Sequence, residues 1–82
     1  MEKKMHQTQE GETVRIVRME ADDAVFRRLR EIGWVPGACA KLYMRAPLGD
    51  PYAFWVNGSV FAVRLSGLKF ITVRTEEANT CM

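Results

Sequence analysis

Histidine, cysteine and long apolar runs are all scarce in this sequence. One histidine, His6, and two cysteines, Cys39 and Cys81, are the entire supply of imidazole and thiol groups. A structural zinc site or a disulfide framework draws on more ligands than this, so neither is expected. The cysteines lie far apart without paired-thiol spacing and read as reduced cytosolic thiols. The longest apolar runs, Tyr52–Val56 and Val60–Val63, fall far below the ~20 residues of a membrane-spanning helix. Residues 1–12 hold no apolar stretch, so no secretory leader is expected and the compartment that follows is the cytoplasm. No glycine-rich loop leads into Lys-Ser/Thr, which removes the phosphate cradle of a nucleotide hydrolase.

What is present fits one small soluble domain. The 82 residues are 48% hydrophobic and 27% charged, too apolar for a disordered chain. Net charge is +2, too mild to imply nucleic acid. It is unevenly spread, since residues 41–74 carry Lys41, Arg45, Arg64, Lys69 and Arg74 against Asp50 alone. Residues 1–12 read as a loose, polar N-terminal arm. Residues 13–19 alternate around β-branched side chains and read as a strand, with Val14 and Ile16 inward and a bulge at Val17. A helix over Asp23–Ile32 follows, with an aspartate cap, arginines late and Gly33 as its left-handed end; Val25, Leu29 and Ile32 form its predicted inner face.

Val35-Pro36-Gly37-Ala38 has the residue types of a type II turn and aims the chain into a strand over Cys39–Arg45. Two prolines and a glycine make Ala46–Pro51 a loop. Tyr52–Val56, Asn57-Gly58 and Ser59–Leu65 read as a hairpin on a type I′ turn. A short turn over 66–69, at most one helical turn, precedes a last strand over Phe70–Arg74, and residues 75–82 read as a tail. The predicted fold is mainly β: a small five-stranded SH3-like barrel over residues 13–74, closed or nearly so, with one short α-helix between strands 1 and 2.

The run Leu29-Arg30-Glu31-Ile32-Gly33 into Pro36-Gly37, then Ala46-Pro47-Leu48-Gly49-Asp50-Pro51, then Phe61-Ala62-Val63-Arg64, resembles the ferrous-iron transport protein A (FeoA) family over about Thr13–Val73. Trp34 stands where members usually carry an aliphatic residue or Phe, and Ala53, Trp55, Val60 and Ala62 where relatives are often polar. The resemblance implies a cytosolic, non-enzymatic SH3-like module that regulates or assembles FeoB, a membrane ferrous-iron transporter with a cytosolic GTP-binding domain. Recruitment by that partner would bring it to the inner face of the cell membrane.

The residues offer little to an enzyme. His6 sits in the arm, Asp22 and Asp23 serve the helix start, and Cys39 has no histidine near it in sequence. No cofactor is expected. The one grouping of metal ligands is His6, Glu10 and Glu12 with Cys81, all on segments read as loose, which suits no more than weak or adventitious transition-metal binding. The candidate partner-binding residues are Pro47, Leu48 and Asp50 in the loop, and Ala53, Trp55, Val60 and Ala62 on the hairpin. In a two-residue hairpin these last four share one face, opposite Tyr52, Phe54, Val56, Phe61 and Val63. Two other readings compete: a nucleic-acid-binding barrel using residues 41–74 with Trp55 and Tyr43, and a homo-oligomeric module without a role in iron uptake. No nucleic acid is expected as partner.

Overall fold

In the computed structural model, which describes residues 1–81, six strands form one antiparallel sheet. They are β1 (Glu2–Lys4), β2 (Thr13–Met19), β3 (Cys39–Arg45), β4 (Tyr52–Val56), β5 (Ser59–Val63) and β6 (Ile71–Thr75). Their order across the sheet is β1-β6-β2-β3-β4-β5. The helices are α1 (Ala24–Glu31) and the single turn α2 (Leu65–Leu68), with 3₁₀ turns at Met5–Gln7 and Ala78–Cys81.

Two expectations are corrected here. The sheet has six strands, so α1 falls between the second and third, and it is open, since β1 and β5 are its two edges. The core is closed by other elements: Phe26 and Leu29 of α1, Trp34 after it, Leu68 of α2 and Met5 all lie buried against the inner face. The inner face itself supplies Val14, Ile16, Ala40, Leu42, Phe54, Val56, Ile71 and Val73. Trp34 meets Phe54 edge-to-face with centroids 5.8 Å apart, and Phe54 stacks on Tyr52 at 6.4 Å.

The extra strand comes from the segment predicted to be loose. Glu2, Lys3 and Lys4 pair with Arg74, Val73 and Thr72, and the following 3₁₀ turn drops Met5 into the core with no exposed surface. Lys3 Nζ donates to both Glu12 carboxylate oxygens at 2.8 and 2.7 Å, and Lys4 Nζ to Glu20 at 3.1 Å. A three-residue strand is too short to show alternation, and main-chain bonds and ion pairs leave no hydrophobic pattern.

Helix α1 starts as the sequence indicates: Asp23 Oδ1 accepts from the Phe26 N–H at 3.0 Å. It turns a different face inward. Phe26 and Leu29 are buried, whereas Val25 is 54% and Ile32 38% exposed. In a two-turn helix the larger aromatic side chain takes the core position, and its i, i+3 partner follows. Gly33 ends the helix at φ 103°, a left-handed conformation that favours glycine, and the Asn57 side-chain amide lies where a Cβ would stand. The type II turn forms, with Gly37 at φ 95° and the Ala38 N–H donating to Val35 O at 2.9 Å. The bulge in β2 lies between Ile16 and Arg18, and a second falls between Leu42 and Met44 in β3. Strand β5 stops at Val63, two residues short of expectation, because Leu65 opens α2.

The cysteines are the largest correction. Cys39 and Cys81 form a disulfide across 42 residues, where free thiols were expected. Cys39 opens β3 beside Arg15 of β2, and the segment after β6 folds back as a 3₁₀ turn that carries Cys81 to it. Sequence separation hides that return. Closing so long a loop restricts the unfolded chain and contributes about 2–4 kcal/mol. The predicted tail thus runs from the last strand residue, Thr75, through this turn; its last residue, Met82, lies outside the described residues.

Two outcomes test this account. Met5→Ala should cost about 2–5 kcal/mol in urea unfolding, the loss expected of a core methionine and not of an arm residue. The second concerns Glu12. Burial would raise its pKa, but bonds from the Gln9 N–H, Lys3 and Thr75 outweigh it and hold the group below its ordinary 4.5. A depressed pKa stabilises the fold above that value, and the contribution is lost as pH falls through the lower folded value. Glu12→Gln should therefore be less stable at pH 7 and lose less stability between about pH 5 and pH 3 than the parent, measured as urea midpoints.

Candidate functional site

The β4–β5 hairpin turns at Asn57-Gly58 with φ 52° and 81°, the two left-handed positions of a type I′ turn. That turn sets the register: Val56 faces Ser59, Trp55 faces Val60, Phe54 faces Phe61, Ala53 faces Ala62 and Tyr52 faces Val63. Alternation then separates two apolar sets. Tyr52, Phe54, Val56 and Val63 are buried, and Phe61 packs partly buried against them. On the other side Trp55 is 50% and Val60 51% exposed, with Ala62 exposed and Ala53 half-buried. Neither α1 nor the N-terminal segment covers this second face, because both close the inner one.

The face continues across the sheet. Val60, Trp55, Lys41 and Thr13 lie in one row over β5, β4, β3 and β2. Beside Trp55 a groove of about 630 Å³ lies at the start of β3, lined by Cys39, Lys41, Trp55, Asn57, Thr80 and Cys81. Arg15 lies along it, its Nη1 donating to Gly37 O at 2.8 Å and its Nη2 to Thr80 O at 3.4 Å. Sequence reasoning missed this groove, since part of its lining is the segment after β6, and the sole signal was the second cysteine.

The loop residues divide. Pro47 is exposed and Leu48 97% exposed at its tip. Asp50 is tied down: its Oδ1 accepts from the Leu65 N–H at 2.8 Å, and its Oδ2 lies 3.8 Å from Arg64 Nη1. It joins the β3–β4 loop to the first turn of α2, which has no cap from its own Arg64. This loop stands at the Tyr52 end of β4, and Trp55 and Val60 at the turn end, so the seven candidates line one hairpin from end to end and do not converge on a single point.

The four potential metal ligands are not brought together. Glu10 Oε2 accepts from the Arg45 N–H at 3.0 Å, Glu12 is held by Lys3 and Thr75, and Cys81 is bonded to Cys39. His6 is half-buried, and its pKa is pushed below 6.5 by burial and then by the cations Lys69 and Lys4. Among the described residues, no three of His, Cys, Asp and Glu are placed to hold one ion.

Fold and face define the class: a small antiparallel β domain of SH3-like type that leaves an apolar outer hairpin face open. Residues 3–75 match the FeoA domain, and the chain belongs to the FeoA family. The solution structure of the FeoA protein from Chlorobium tepidum is similar at TM-score 0.85 and 33% identity, over 93% of this chain and 75% of that one. Stenotrophomonas maltophilia FeoA, crystallised with zinc, is described as a prokaryotic SH3-domain protein proposed to act as a ferrous iron transport activating factor. It is similar at TM-score 0.77 and 28% identity, over 88% of this chain and 89% of that one. A manganese-dependent transcriptional repressor, 14% identical with a TM-score of 0.80, shares the fold alone, over 92% of this chain and 42% of that one. Among curated proteins compared by sequence, none matches the chain.

Asp50→Ala should cost about 1–2 kcal/mol in thermal or urea unfolding, the range for a lost helix-start acceptor, and Asp50→Asn, which keeps one oxygen, should recover most of it.

Proposed function

We propose that the chain is a non-enzymatic accessory protein of ferrous iron uptake, acting at the cytosolic side of the membrane by contact with a FeoB-type transporter GTPase. The FeoA domain over residues 3–75 and the likeness to FeoA proteins support the iron-transport setting. Among the described residues no helix is long and apolar enough to cross a membrane, in keeping with a protein that reaches its transporter by contact.

The observation that carries the contact mode is the open row Val60–Trp55, with Ala53 and Ala62 beside it. Trp55 is a large, rigid, half-exposed anchor on a strand whose other side is locked in the core. Tryptophan is the type most enriched at interface hot spots, and two small alanines next to it leave a step that a partner side chain fills. Lys41 flanks the indole in register, which favours a partner surface carrying carboxylates.

A nucleic-acid reading draws less support. Of the five cations in residues 41–74, Arg64 and Arg74 face the carboxylates of Asp50 and Glu76, which breaks up a continuous cationic face. Nucleotide hydrolysis is assigned to the transporter, since a phosphate cradle is missing from this sequence.

Trp55→Glu should leave circular dichroism and urea unfolding near those of the parent and weaken binding to the transporter's cytosolic part by at least about 2 kcal/mol, roughly 30-fold. Calorimetry with and without guanine nucleotide reads this directly. Unchanged binding by a folded variant would remove the hairpin face from the contact. A loss of self-association instead, seen by sedimentation, would assign the face to a second copy of the chain.

A further inference from the structure

The Cys39–Cys81 bond joins a residue inside the FeoA domain to one beyond Thr75, where the family match ends. Among the described residues, the segment it holds has few other ties. Glu76 is anchored through its N–H to Thr13 O at 3.0 Å, and its carboxylate faces Arg74 and Arg15 at 3.0 and 3.5 Å. Past Glu76, the hydrogen bonds among the described residues are local to the turn, Thr80 N–H to Glu77 O at 3.0 Å and Thr80 Oγ1 to Glu77 O at 2.6 Å and Glu76 Oε2 at 3.1 Å. One hydrogen bond among the described residues leaves it, the long Arg15–Thr80 contact of 3.4 Å. Glu77, Asn79 and Thr80 are exposed, and both cysteines are half-buried.

We infer that Cys39–Cys81 is a thiol–disulfide exchange site whose substrate is a dithiol reductant, and that its reduction releases residues 77–81 from the outer face of the sheet. One thiolate of the reductant attacks a sulfur of the bond, forming a mixed disulfide and expelling the other cysteine as a thiolate, which takes a proton. The second thiol of the reductant then attacks the mixed disulfide and expels the remaining cysteine. The protein gains two electrons and two protons, and the reductant leaves as a disulfide.

The consequence follows from position. Thr80 and Cys81 line the same groove as Trp55. Their release opens the groove where they line it and frees Arg15 from Thr80, while the core, which draws on none of these residues, keeps its packing. In a reducing cytosol most structural disulfides do not persist, and those that form there act as transient, redox-sensing bonds. A latch holding a few exposed residues over an exposed face suits that use better than a staple through a core.

The test uses the whole chain, oxidised with oxidised glutathione and then treated with dithiothreitol. Maleimide mass tagging should count no thiols before reduction and two after. Hydrogen exchange should speed at least tenfold over residues 77–81 on reduction, with β2, β3 and β4 still protected, and Trp55 emission should rise as a nearby disulfide quencher is lost. Cys81→Ser and Cys39→Ser should each show the fast exchange without reductant. Two free thiols in the oxidised sample would overturn the latch, as would unchanged exchange over 77–81. Loss of protection throughout the sheet on reduction, or in both variants, would make the bond a structural staple and overturn it too. These readouts need no transporter, so their failure is separate from any failure of the proposed contact.

Discussion

A single sheet in a chain of 82 residues has one face that the rest of the chain can cover, and most of this structure follows from which face that is. The inner face gathers Ile16, Leu42, Phe54, Val56 and Val73, and Phe26, Leu29, Trp34, Leu68 and Met5 are drawn to it. The helix, the single-turn helix and the N-terminal 3₁₀ turn thus all serve one side. Trp55 and Val60 stay half-exposed, although they belong to the strands that carry the core. The open outer face is the consequence of packing α1, α2 and the N-terminal turn on the other.

Polar chemistry then holds the periphery in place. Glu12 gathers Lys3, Thr75 and the Gln9 N–H, so one carboxylate links β1, the loop before β2 and the end of β6. Asp50 does the same at the opposite end, joining the proline-rich loop to α2. Each replaces apolar packing where a small domain has no side chains to spare, and each satisfies a donor that would otherwise be left unpaired. A residue such as Asp50, which looks like a surface recognition group in the sequence, is therefore occupied by the fold, whereas Leu48 next to it is free.

The disulfide fits neither pattern. It adds no packing and satisfies no donor, and it fastens a segment beyond the family domain to a groove that Trp55 also lines.

Local chemistry made much of this fold readable in advance. Asn57-Gly58 dictated the hairpin register residue by residue, Pro36-Gly37 the turn into β3, and Asp23 and Gly33 the two ends of α1. The apolar outer face, with Trp55 in it, was legible for the same reason, because strand alternation is a property of neighbouring residues. Only the tertiary structure decided what depends on distant partners. It made a strand of Glu2–Lys4, since main-chain pairing with β6 leaves no pattern in side-chain type. It turned Phe26 inward in place of Val25 and Ile32, because a two-turn helix is oriented by the cavity it fills. It left the sheet open because helices and Met5 fill the space that strand closure would have taken. And it brought Cys81 to Cys39, since 42 residues of separation say nothing of distance until the chain has folded back on itself.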